Sequence, residues 1–182
     1  MPKQIKIAIW VVVLGLLYSL LSSVSTKIYG DTKAIYNTSV EYETQYDAQT
    51  QNLISTFDSY YLSYTDQYGA TSVSKEGFIE LAKIAMSARA DGANLAWKWV
   101  KENQPMPYAE FSSFYVNLVE FTKERYSQVL AIERQRQSIV QSHNKNITVF
   151  PNNIYNRYLK IKPIEYKAGY ISDSTRKLFN IK

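Results

Sequence analysis

The sequence predicts an all-α protein: an N-terminal transmembrane helix continuing into a long helix of an antiparallel helical bundle. Residues 7–26 carry no charge. Beyond them apolar side chains recur at helical steps over three long stretches, and no pair of stretches shows the two-residue alternation of strands. These patterns divide the chain into a membrane anchor (1–27), a helical bundle (28–159) and a basic C-terminal tail (160–182).

The uncharged segment comes first. Its 20 residues span about 30 Å as a helix, the thickness of a hydrocarbon core. Trp10 and Tyr18 suit interfacial anchoring, Gly15 and Leu16 lie mid-segment, and Lys3, Lys6 and Lys27 bracket it. A cleaved signal peptide is the competing reading, but its apolar core is usually only about 7–15 residues. The flanking lysines are nearly balanced. The lack of cysteine, with 16 tyrosines and many Asn, Ser and Thr, points to a cytoplasmic N-terminus and an extracytoplasmic bundle, periplasmic or extracellular. The opposite orientation is the alternative.

Residues 28–68 read as helix continuous with the anchor. Ile28, Ile35, Tyr42, Tyr46, Leu53, Phe57, Tyr60 and Tyr64 recur at steps of seven, four and three on one stripe. Gly30 costs about 1 kcal/mol relative to Ala without breaking it. Gly69 to Ser74 interrupts the pattern, and Ser74 reads as the cap of a second helix from about Lys75 to Lys101. That helix carries Phe78, Ala82, Ala85, Ala93, Ala96 and Val100 on one face, with Arg89 and Asp91 interrupting it. Pro105 and Pro107 end it. A third helix runs from Tyr108 to Thr148 with Phe111, Phe114, Leu118, Phe121, Val129 and Ile132 inward. Phe150-Pro151 stops it, with Phe150 expected to be buried and Pro151 to start a short last helix ending near Leu159.

Charge is segregated. Residues 28–122 hold a net −6 and residues 123–182 a net +8, so the overall +5 conceals an acidic middle and a basic end. No zinc-finger, helix-turn-helix or RNA-binding pattern accompanies the basic end, and no nucleic-acid partner is expected. The bilayer is the expected partner, with further copies of the chain beside it.

The end of the third helix, Asn144-Lys145-Asn146-Ile147-Thr148-Val149-Phe150-Pro151, resembles the signature of the LemA family. Tyr36-Asn37, Val40, Asn52-Leu53-Ile54 and Ala88-Arg89 agree in order with that family. The chain departs from it at Asp47-Ala48-Gln49-Thr50-Gln51, at Arg136-Gln137 and at His143. The resemblance implies a membrane-anchored helical-bundle protein in which Tyr36, Asn37, Arg89, Asn144, Ile147, Phe150 and Pro151 are structural. It implies no established reaction.

A search for chemistry agrees. There is one histidine and no cysteine, which rules out a His/Cys zinc site. His143 reads as a capping or surface residue rather than a catalytic base. No glycine-rich phosphate loop occurs. No catalytic residue, metal or cofactor is expected, and the chain reads as a non-enzyme. Tyrosine and arginine both favour interfaces, so the expectation is a self-associating scaffold forming a ring or curved array, with Arg134, Arg136, Arg157 and Lys160 as its basic contact residues. A single-span sensor or binding module, or an accessory subunit holding another membrane protein, are the alternatives.

Overall fold

A computed structural model of the chain describes residues 2–69, 72–87, 91–104 and 106–171, and the side chains of residues 3–8 fall outside that description. Among the described residues there are five helices: α1 (Lys3–Tyr68), α2 (Lys75–Ser87), α3 (Gly92–Asn103), α4 (Tyr108–Thr148) and α5 (Asn152–Leu159). The fold class is all-α. Two compact units divide the chain, unit 1 (1–43 with 142–163) and unit 2 (44–141 with 164–182). This division differs from an anchor, bundle and tail in sequence order, because α1 and α4 each contribute to both units.

α1 begins at Lys3, ahead of the uncharged segment, and continues through it and Gly30 without interruption. Its N-terminal part holds an 18-residue stretch apolar enough to cross a membrane, and none of that stretch is buried by protein. The hydroxyls of Ser19, Ser23 and Thr26 donate to the carbonyls of Leu16, Ser19 and Ser22 at 3.0, 2.9 and 2.9 Å. These three groups are thereby satisfied inside the helix, as a low-dielectric surrounding requires.

Unit 2 holds the main core. Leu53, Phe57, Tyr60 and Tyr64 of α1 meet Phe78, Leu81 and Ile84 of α2, Ala96 and Val100 of α3, and Phe111, Phe114, Leu118 and Phe121 of α4. Tyr64 is the hub, its ring 5.2–5.5 Å from those of Phe78, Phe114 and Phe121. Its hydroxyl donates to the Phe114 carbonyl at 3.2 Å, which removes the cost of burying a phenol. Tyr46 pairs with Arg136, Tyr60 with Gln128 and Tyr64 with Phe114. Partners on α4 thus descend as α1 ascends, so the two helices run antiparallel in this unit.

One helix was expected between Lys75 and Lys101, and two are present. Asp91, at φ −101° and ψ 9°, precedes α3 outside helical geometry. α3 packs on α2 instead of extending it, and Ala93 of the expected common face is exposed. A low-propensity Asp91-Gly92 pair makes this the weak point of the apolar stripe. Arg89 lies outside the described residues.

Ser74 caps α2 as its position suggested, its Oγ accepting from the Gly77 amide at 3.1 Å and from Gln104 Nε2 at 2.6 Å. A Cβ on Gly77 would stand 2.6 Å from Gln104 Nε2, so a larger residue there would have to displace the Gln104 amide from Ser74.

In unit 1, Ile35 and Ser39 of α1 and His143 and Ile147 of α4 are buried, with Tyr42 set edge-on to His143 at 6.3 Å. Two expectations fail here. His143 is fully buried, not a surface group. Phe150 is 74% exposed, because Pro151 turns the chain directly into α5 and the Phe150 side chain at that turn has no helix over it. Phe150→Ala is therefore expected to change stability by no more than about 0.5 kcal/mol, the usual range for a surface site. A drop of several degrees in melting midpoint would place Phe150 in a buried contact.

After α5, Lys160 adopts a left-handed conformation (φ 54°) as its C-cap, its amide donating to the Asn156 carbonyl at 2.8 Å. The chain then leaves helical geometry through residue 171.

Candidate functional site

The most elaborate polar arrangement in unit 2 begins with a sequence spacing. Glu133 and Arg136 are three apart on α4 and Tyr46 and Thr50 four apart on α1, so each pair shares a helix face. Antiparallel packing brings the faces together. Glu133 and Arg136 are 2% and 4% exposed. Arg136 Nη1 donates to Glu133 Oε1 and Oε2 at 2.9 and 2.8 Å. Its Nη2 donates to the Tyr46 hydroxyl at 2.9 Å and its Nε to Thr50 Oγ1 at 3.2 Å. The guanidinium lies 4.9 Å from the centre of the Tyr46 ring.

The segment after residue 163 completes the cluster. The Tyr166 hydroxyl donates to Glu133 Oε2 at 2.9 Å, the Gly169 amide donates to Glu133 Oε1 at 2.5 Å, and the Lys167 carbonyl accepts from Arg136 Nη1 at 3.3 Å. Tyr170 stands edge-on to Tyr126 with ring centres 6.1 Å apart. Four donated bonds thus converge on one buried carboxylate. An ion pair taken from water needs such additional hydrogen bonds to hold. Committed in this way, the carboxylate and guanidinium act as a clamp on backbone and phenol groups.

This corrects the placement of Arg136, expected among exposed contact residues. It is interior, because the backbone of residues 167–169 covers it. Arg134, Arg157 and Lys160 are exposed. Trp10, Gly15, Leu16 and Tyr18 lie on the uncovered half of α1, and Tyr36 and Asn37 on an exposed face of it. Ile147 is buried, and Pro151 lies exposed at the turn into α5. Asn144 is half-buried, its Oδ1 3.1 Å from His143 Nδ1. Glu133, Tyr46, Thr50, Tyr166 and Gly169 were not singled out as a site from sequence. The matched spacings of the first two pairs were the only available signal.

No protein-family model, curated protein or solved structure matches this chain. The chemistry of the site therefore rests on its own geometry. Among the described residues no three His, Cys, Asp or Glu side chains are grouped to hold a metal ion. Unit 1 adds a polar cleft of about 280 Å³ lined by Asp31, Thr38, Asn146, Asn152 and Tyr155, in which the Tyr155 hydroxyl donates to Asp31 Oδ2 at 3.3 Å.

Burial, together with the hydrogen bond to Glu133, pushes the Tyr166 phenol well above its ordinary value. Burial raises Tyr64 and Tyr115 to about 12. A raised folded-state pKa means that the folded protein keeps a proton which the unfolded chain has released. The stabilisation is then complete below the ordinary phenol value near 10 and is lost as pH climbs above it. Melting midpoints measured from pH 9 upward are expected to fall steadily beyond about pH 10. A flat profile to pH 12 would mean that these phenols are equally free in the folded state.

Proposed function

We propose that the chain is a non-enzymatic, single-span membrane protein of LemA-like character whose helical bundle is a self-associating scaffold at the membrane surface, its N-terminus cytoplasmic and its bundle outside. The observation that carries this reading is the uncovered apolar stretch near the start of α1, from which the helix runs without a break to Tyr68. A continuous helix of that kind suits a chain that joins packed helices to a bilayer. The Asn144–Pro151 resemblance supports the same class.

Self-association is supported by a second face of α1. Tyr29, Tyr36 and Val40, spaced by seven and four, are 69%, 53% and 43% exposed. They flank the face that carries buried Ile35 and Ser39 and half-buried Tyr42. Such a stripe just past the anchor lets parallel copies meet side by side, and half-exposed tyrosine is a favoured interface residue. Exposed Arg134, Arg157 and Lys160 supply the basic complement to the acidic middle, without Arg136.

Sizing of detergent-extracted protein tests the reading. Uniform particles several times the 21.0 kDa chain are expected, and a monomer overturns it. The anchor has its own check. Leu16→Arg places a charge near mid-bilayer at a cost of about 2.5–3.5 kcal/mol, so the variant is expected to leave the membrane fraction on a carbonate wash. Retention equal to the parent would show that residues 7–26 do not span.

A further inference from the structure

Resting on the reading of α1 as a membrane anchor, we propose that the polar cleft of unit 1 binds a phosphoethanolamine group, a primary ammonium carried on a phosphate, as the head of a zwitterionic aminophospholipid. The cleft, about 280 Å³, is lined from α1 by Asp31, Ile35 and Thr38, and from the end of α4 and from α5 by Asn146, Asn152 and Tyr155. Its charge is one-sided. Asp31, half-buried, is the one carboxylate on the wall, and among the described residues no lysine or arginine is ion-paired with it. Tyr155 donates to its Oδ2 at 3.3 Å, which leaves Oδ1 as an acceptor. Asn152 commits its Nδ2 to Asn146 Oδ1 at 2.9 Å and keeps its carbonyl oxygen as another. A carboxylate set among neutral acceptors selects a cation, and a primary ammonium brings three donors to meet them. On the same wall Asn146 Nδ2 is buried without a partner, a loss that an ordinary packed interface avoids.

Height along α1 indicates where such a cation comes from. Asp31 lies five residues beyond Thr26, the last of the uncharged segment, or about 7.5 Å along a helix axis. Head groups occupy roughly 5–7.5 Å beyond the hydrocarbon on each side of a bilayer. Lys27 precedes Asp31 by four positions, so it stands on the same helix face about 6 Å nearer the hydrocarbon. The two are not ion-paired with each other, and Lys27 is exposed. A cation at the depth of the phosphate with an anion above it matches the order in which a zwitterionic head group leaves the glycerol: phosphate first, ammonium outermost. Soluble phosphoethanolamine carries the same two charges, and the experiment separates the two sources.

Full-length protein, freed of lipid in detergent, is titrated with mixed micelles while its melting midpoint is followed, because a ligand held by the folded state raises it. Phosphatidylethanolamine is expected to raise the midpoint. Phosphatidylcholine, whose trimethylammonium has no hydrogen to donate, is expected to leave it unchanged. Asp31→Asn still accepts from Tyr155 but lacks the charge, and is expected to weaken the response roughly tenfold or more in apparent affinity. Lys27→Gln, at an exposed position, is expected to weaken it less. The comparison of the two lipids needs no variant, so it stands even if Asp31→Asn fails to fold. No shift with either lipid, equal shifts with both, or an undiminished response in folded Asp31→Asn overturns the site. A response to free phosphoethanolamine but not to the lipid overturns the bilayer source and upholds the cleft. The anchor reading fails separately: a chain that a carbonate wash removes, yet which keeps the preference for ethanolamine over choline, overturns the span and not the cleft.

Discussion

Arg136→Glu is expected to destabilise the fold by about 3–5 kcal/mol, the cost of breaking a buried ion pair and leaving its partner charged. The reversed side chain would put two carboxylates together in a space where Glu133 is 2% exposed. It would also remove the donors that hold Tyr46, Thr50 and the Lys167 carbonyl. Arg134→Glu, two residues away on the exposed side of the same helix, is expected to stay within about 0.5 kcal/mol of the parent. Urea unfolding of both variants decides the matter, and equal midpoints would mean that Arg136 is solvated. A variant reversing both arginines would therefore unfold the bundle and report nothing about its assembly.

Phe78→Ala should cost about 3–5 kcal/mol, as for other fully buried phenylalanines. Phe78 has no exposed surface and lies 5.5, 5.2 and 6.4 Å from the rings of Tyr61, Tyr64 and Phe121. Three helices converge on it, so no single side chain can relax into the space left behind. Calorimetry on detergent-solubilised protein is expected to show a transition lowered by roughly 6–20 °C, since each kcal/mol shifts a domain of about 150–250 residues by roughly 2–4 °C. A shift comparable to that of Phe150→Ala would place the core elsewhere.

These two phenylalanines show where sequence reading succeeded and failed. Phe78 sits in a periodic apolar stripe, and periodicity reports the buried face of a helix. Phe150 sits at a break, where there is no period to read, and its apolar character alone suggested burial. The same limit explains the helix expected between Lys75 and Lys101. An unbroken alanine-rich stripe is compatible with one straight helix or two packed ones, and Asp91-Gly92 was too weak a signal to choose. The tyrosines crowded on the first helix and the basic end divide in the same way: Tyr60 and Tyr64 are core, whereas Tyr68 and Tyr158 remain exposed.

α4 runs from Tyr108 to Thr148, as the flanking prolines indicated, and α1 continues from the uncharged segment to Tyr68 past its one internal Gly30. Such features were legible because they depend on neighbours three or four residues away: the i to i+4 hydrogen bond, the missing amide of proline and the helical spacing of apolar groups. The sequence by itself thus determined the fold class, the apolar stretch long enough to span a membrane, and most helix ends. It left Arg134 and Arg136 indistinguishable. Only the tertiary structure decided that one faces water and the other is sealed inside, because the groups that seal it belong to residues 166–169, more than 30 positions along the chain, and burial of a charge depends on contacts that no local pattern encodes.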